Sequence, residues 1–156
     1  RQMCIRDSPY LDPKVLESCD VEPVSFDTLF ERSDYLSVHT PLNPRTRHLV
    51  NAAALAKMKS SAFIINTARG PIIDEAALVA ALQKGEIAGA GLDVFEVEPA
   101  SHDNPLFAMP NVITTPHHGG DSDEMAAFGP ESVMHDVATV LQGGHPRSVQ
   151  NPAVLG

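Results

Sequence analysis

Four short apolar runs decide most of what this chain can fold into. Residues 35–40 (YLSVHT), 62–67 (AFIINT), 89–94 (GAGLDV) and 112–115 (VITT) are apolar, β-branched or small, and each ends in polar residues. Continuous runs of this kind, in place of an alternating pattern, predict strands buried on both faces, as in a parallel sheet. Helical runs fill the gaps. Phe26 to Arg32 predicts one short helix, and residues 51–58 (NAAALAKM) predict another, opened by Asn51 as a cap. Asp74 is a good N-cap for EAALVAALQK, in which Leu78, Val79 and Leu82 share a face and Gly85 supplies the stop. Nearer the C-terminus, Asp121 and Glu124 have the spacing of a capping box. The helix they open is expected to break or kink at Gly129-Pro130, with a second running from Pro130 to Leu141. A weaker run at 21–24 (VEPV) reads as a strand near one edge, because Pro23 cannot donate to a ladder. Strands alternating with helices at this spacing predict βαβ units and an α/β architecture.

Length and charge narrow the function classes. With 156 residues the chain suits one domain, and 43% hydrophobic against 20% charged residues predicts a packed core. No apolar run approaches the roughly 18–20 residues of a membrane span. The formal net charge of −9 repels phosphate backbones and argues against nucleic acid as a partner. A nucleotide cofactor stays open, because local geometry binds it. Cys4 and Cys19 form no CxxC pair and no disulfide framework, which fits a reducing cytoplasm. The opening RQMCIRDS has neither a secretory h-region nor a usual domain start, and it reads as a non-native remnant over residues 1–8.

In open α/β sheets, ligands sit beyond the carboxyl ends of the strands. His39-Thr40-Pro41 follows the first of the four runs and Thr67-Ala68-Arg69-Gly70 the second. Asp93 to Glu98 follows the third, and Pro116-His117-His118-Gly119-Gly120 the fourth. An arginine, carboxylates and a histidine thus come from separate strand ends to one rim. Taken singly, each has a plainer reading. Arg69 fits a solvated cation before a turn, Glu96 and Glu98 fit loop acids, and His117 fits a strand-end residue paired with backbone. His118 beside His117, with Asp121 and Asp123 nearby, suggests a metal, but adjacent extended side chains point apart and no metal is expected.

From Pro9 onward the chain resembles the cofactor-domain half of the D-isomer-specific 2-hydroxyacid dehydrogenases. The resemblance lies in SDYLSVHTPLNPRTRHLVN, INTARGPIIDEAALVAALQKGEIAGAGLDVFEVEP and NPLFAMPNVITTPHHGG, in the family's order and spacing. It implies a Rossmann-like parallel sheet with helices on both faces, and an oxidoreductase that passes hydride between a nicotinamide and a 2-hydroxy or 2-keto acid. The family's arginine falls on Arg69, its glutamate on Glu98 and its histidine on His117; Glu96 is not the matching position. His117 is then the acid/base, Glu98 its support, and Arg69 the anchor of the substrate carboxylate. Implied cofactor contacts fall on Thr40, Pro41, Thr46, Thr67, Ala68, Arg69, Asp93, His117, Gly119 and Gly120. NAD is the implied cofactor, with NADP open, and the intact protein is implied to be a cytoplasmic homodimer.

The chain also departs from that pattern. The phosphate-binding GxGxxG is absent, and GEIAGAG at 85–91 precedes a strand instead of opening a helix. The acid expected to hold the adenosine ribose would precede Pro9-Tyr10, where Ser8 stands, with Asp7 one residue early. Residues 9–142 are therefore expected to be a partial dinucleotide-binding domain, truncated at the N-terminus and lacking its first βαβ unit. Residues 143–156 are expected to form a tail returning toward an absent substrate domain. Little or no activity is expected of the chain alone. Two other readings stand beside the enzyme: a non-enzymatic, NAD-responsive corepressor-like regulator, and an inert gene fragment.

Overall fold

The computed structural model describes Cys4–Arg6, residues 21–147 and Val149. It divides after His117 into two compact units. In the first, β1 (Cys4–Arg6) pairs in parallel with β2 (Val21–Pro23). Cys4–Arg6 lies within the opening segment expected to stand outside the fold. The acid position at Asp7 and Ser8 and the last residues of the tail lie outside the described residues.

Four further strands, β3 (Tyr35–Val38), β4 (Phe63–Asn66), β5 (Gly89–Leu92) and β6 (Val112–Thr114), form one parallel sheet in the order β3-β4-β5-β6. Their register sets Leu36, Ile64, Ala90 and Val112 in one row, and Val38, Asn66, Leu92 and Thr114 in the next. Because side chains alternate along a strand, these two rows share a face. That face is buried along β3, β4 and β5, with Ile64 fully so, and half-buried at Val112 and Thr114 of β6. The opposite face carries Tyr35, Phe63 and Ile113, all exposed, with the Tyr35 and Phe63 rings stacked 5.6 Å apart. The expectation of burial on both faces therefore holds for one face only, and β3 alternates exposed and buried residues along its length.

The helices of this unit are α1 (Phe26–Arg32), α2 (Ala52–Leu55) and α3 (Glu75–Lys84). Each starts at a side-chain cap: Ser25 accepts from the Thr28 amide, Asn51 from Ala54 and Asp74 from Ala77. Gly85 ends α3 in the left-handed conformation, at φ 68°, which costs glycine nothing. Phe30 of α1, Leu55 of α2, and Leu78 and Leu82 of α3 join Leu36, Ile64 and Leu92 in a single core. The result is an α/β, Rossmann-like sheet with the strand ends leading into loops.

The second unit holds α4 (Asp123–Leu141). Its cap is Ser122, which accepts from the Met125 amide at 3.2 Å, in place of the expected Asp121. The helix also runs through Pro130, where a break or kink was expected. A proline removes one backbone bond, and the turns on both sides keep theirs, so the cost falls on one turn of an exposed helix. No described helix is long and apolar enough to cross a membrane.

Candidate active site

The end of β4 begins the site. Asn66 is buried to 1% exposure, where an unpaired amide would be costly. Its Oδ1 accepts from the Ala68 amide at 3.0 Å and its Nδ2 donates to the Arg69 carbonyl at 3.0 Å. This one side chain ties Thr67-Ala68-Arg69 into a fixed loop. Arg69 itself is exposed on extended backbone, and its Nη1 donates to the Ala68 carbonyl at 2.6 Å. The next residue must be glycine for packing reasons. A Cβ on Gly70 would fall 1.7 Å from the Phe95 carbonyl oxygen and 2.6 Å from the Glu96 nitrogen. The arginine loop therefore rests directly on the Phe95-Glu96 peptide.

That peptide belongs to the segment following β5. Asp93, 4% exposed, is covered by a hydrogen bond from the Thr115 hydroxyl, and its amide donates to the Asn66 carbonyl. Phe95 is buried and meets Phe107 edge-on at 5.3 Å. Its amide donates to Glu98 Oε1 at 2.9 Å, which closes the 95–98 loop. The other oxygen, Oε2, lies 2.8 Å from His117 Nδ1. A carboxylate only accepts, so Nδ1 carries the proton of this bond and Nε2 stays available on the far side of the ring. Burial is the largest single influence on Glu98 and pushes its carboxyl up. The Phe95 amide, the His117 ring and the Arg69 charge together outweigh it and hold the carboxyl below its usual range.

His117 follows β6 and has φ 58°, a left-handed value uncommon for a residue with a side chain. Backbone strain of this sort clusters where a side chain must be aimed. Glu98 and His117, from beyond β5 and β6, thus meet, and the charge of Arg69, from beyond β4, acts on Glu98. Both members of the histidine pair are open to solvent, at 48% and 37% side-chain exposure, so a ligand can reach them.

The remaining candidate residues divide. Thr40, just beyond β3, has its hydroxyl oxygen buried without a hydrogen-bond partner. Such a group asks for a ligand. Thr46 instead closes its own turn, donating to the Pro41 carbonyl at 2.7 Å and accepting from the Asn43 amide at 2.8 Å. Thr67 is exposed and Ala68 half-buried. Gly119 and Gly120 belong to the second unit. His118 pairs with Asp121 at 3.5 Å, and among the described residues no cluster of metal ligands forms. The sequence pattern did not single out Asn66, Thr115 or Gly70. Asn66 carried a faint signal, a polar residue closing an otherwise apolar strand.

Residues 4–119 match the family described as D-isomer specific 2-hydroxyacid dehydrogenase, NAD binding domain. Glyoxylate/hydroxypyruvate reductase B of Citrobacter koseri is 43% identical over 144 residues, which are 92% of this chain and 44% of the reductase. A D-lactate dehydrogenase from Lactobacillus jensenii, solved with NAD+, gives a TM-score of 0.83 at 32% identity, over 94% of this chain and 48% of that one. The holo form of Rhodotorula graminis D-mandelate dehydrogenase gives 0.85 at 35% identity, over 94% and 43%. The chain spans less than half the length of each.

Proposed function

Because the chain belongs to the D-isomer specific 2-hydroxyacid dehydrogenases, by their NAD binding domain, we propose that it carries the catalytic rim of an oxidoreductase interconverting a small 2-hydroxy acid and its 2-keto acid. The observation that carries this reading is the His117–Glu98 pair, 2.8 Å apart, with the Arg69 loop seated on the same segment. His117 is the acid/base. With Nδ1–H committed to Glu98, Nε2 takes the hydroxyl proton in oxidation and returns it to the carbonyl oxygen in reduction. Glu98 fixes the tautomer and stabilises the ring when it is positive. Arg69 offers a planar fork to the substrate carboxylate and polarises the nearby carbonyl.

A nicotinamide, when bound, supplies the acceptor or donor of hydride. The residues present fit it in part. The Thr40 hydroxyl is a buried polar group in need of a partner, and Asp93, at the end of β5, is a buried acceptor of the kind a carboxamide can bond. Thr40, Pro41, Thr67, Ala68 and Asp93, with Arg69 and His117, would hold the cofactor, and Gly119 and Gly120 are cofactor contacts by the family resemblance alone. Thr46 serves by shaping the Pro41 turn. The dinucleotide is NAD in this reading. The chain carries no GxGxxG and matches 44% of the reductase, so alone it is expected to bind the cofactor weakly and turn over little. Glyoxylate and hydroxypyruvate are the first substrates to try, and the reading takes the intact protein as a cytoplasmic homodimer.

Titration of the chain with NADH, followed by cofactor fluorescence and thermal shift, tests the cofactor assignment. Saturation at a Kd of about 1 μM to 1 mM with a raised melting temperature supports it, and neither effect overturns it. The chemistry is tested in a chimera that joins this chain to the remaining part of the Citrobacter reductase. His117→Gln should lower the oxidation of NADH by glyoxylate by about 10²–10⁴-fold while NADH binding persists.

A further inference from the structure

Glu96 lies two residues before the proposed Glu98 and takes no part in the chemistry, yet its carboxylate meets three partners. Its Oε1 lies 2.6 Å from His48 Nε2 and 3.2 Å from Arg47 Nη2. Its Oε2 accepts from the amide of Glu75, in the first turn of α3, at 3.3 Å. The bond is returned, because the Glu96 amide donates to Glu75 Oε2 at 2.9 Å. Glu75 Oε1 in turn accepts from Asn104 Nδ2 at 2.8 Å. Both the side chain and the backbone of residue 96 are thus clamped, from two separate segments, and Asn104 of a third holds the Glu75 side chain in place.

The clamp acts on the peptide that matters. Gly70, next to Arg69, has no room for a Cβ because the Phe95-Glu96 peptide occupies that space. The Phe95 amide aims Glu98 through its bond to Oε1. On the other side, the His48 amide donates to the Pro71 carbonyl at 2.9 Å and Val50 bridges in parallel to Ile73, which draws the 46–50 segment onto the turn after Arg69. His48 holds φ 50°, a costly backbone value for a side-chain-bearing residue, and its ring is aimed at Glu96. A charged hydrogen bond in a half-buried place is stronger and more directional than one at an open surface.

We infer that Glu96 is a positioning residue: held by His48, Arg47 and the Glu75 amide, it fixes the Phe95-Glu96 peptide on which Glu98 and Arg69 are both set. The inference rests on the roles proposed for those two residues. Heteronuclear NMR of the His117 ring nitrogens reads the Glu98 bond directly, and Glu98→Gln supplies the reference displacement for its loss. Glu96→Ala should displace the His117 signals in the same direction and by a comparable amount. Glu96→Gln, which keeps one acceptor oxygen, should displace them less. His48→Gln repeats the test from the other side of the pair and replaces Glu96→Ala should that variant not fold. A lowered melting temperature in both Glu96→Gln and His48→Gln, with His117 signals at their wild-type positions, would overturn the inference and leave the pairing of His117 with Glu98 standing. Unmoved His117 signals in Glu98→Gln would overturn that pairing and this inference with it.

Discussion

At the scale of single residues, the pair at the centre of the site has a pH signature whose sign follows from its contacts. The Phe95 amide, His117 and Arg69 hold the Glu98 carboxyl below its ordinary value in spite of burial. A depressed carboxyl contributes stability above its unfolded value, about 4.3 for glutamate, and loses it as pH falls through the lower, folded value. Glu98→Gln should therefore lower the melting temperature at neutral pH, and the gap between the two proteins should close as melts are taken down toward pH 3. A gap constant with pH would mean that the charge of Glu98 contributes nothing. A second prediction concerns two glycines that look alike in sequence. A Cβ at Gly70 would overlap the Phe95 carbonyl, whereas at Gly91 it would meet only Ile65 carbons at 3.8 Å or beyond. Gly70→Ala should cost about 3 kcal/mol or more, and Gly91→Ala should be neutral or stabilise by up to about 1 kcal/mol. Denaturant melts of the two variants separate these outcomes.

Among the elements, those with local signals were legible and those decided by distant contacts were not. Asn51 and Asp74 announced their helices, and Gly85 announced an end, because a cap acts within one turn. The four strands showed in runs of apolar and β-branched residues, and the rim positions showed because loops follow those runs, but only the family resemblance proposed Arg69, Glu98 and His117 and preferred Glu98 to Glu96. What covers each face of the sheet depends on packing, so a continuous apolar run could not reveal that Tyr35 and Ile113 stay exposed. The bonds of Glu96 to His48 and Glu75 span 48 and 21 residues of chain and leave no periodic trace. The passage of α4 through Pro130 is a closer balance, one missing bond against the turns on both sides. Pro130→Ala should leave the far-ultraviolet helical signal unchanged, since the helix is already continuous, while stabilising it by up to about 3 kcal/mol. A clear gain in helical signal would show instead that the wild-type helix breaks there.

For the whole molecule, the open question is how so much apolar surface stays in water. The sheet of the first unit leaves Tyr35, Phe63 and Ile113 exposed on one face. In the second unit no residue of α4 is buried, and Val133, Met134, Val137, Val140 and Leu141 recur at three- and four-residue spacing along one side of it. Exposed apolar stripes of this kind mark surfaces that associate. The net charge of −9 opposes association through self-repulsion, but charge at a distance is screened beyond about 10 Å in ordinary salt, while contact burial is not. The apolar term should win once copies meet. Sedimentation velocity at rising concentration should therefore show reversible or irreversible self-association, stronger in high salt. Val137→Lys, which sets a charge in the middle of the α4 stripe, should weaken it. A monomer at every concentration and salt level would mean that these surfaces are covered within a single copy in solution.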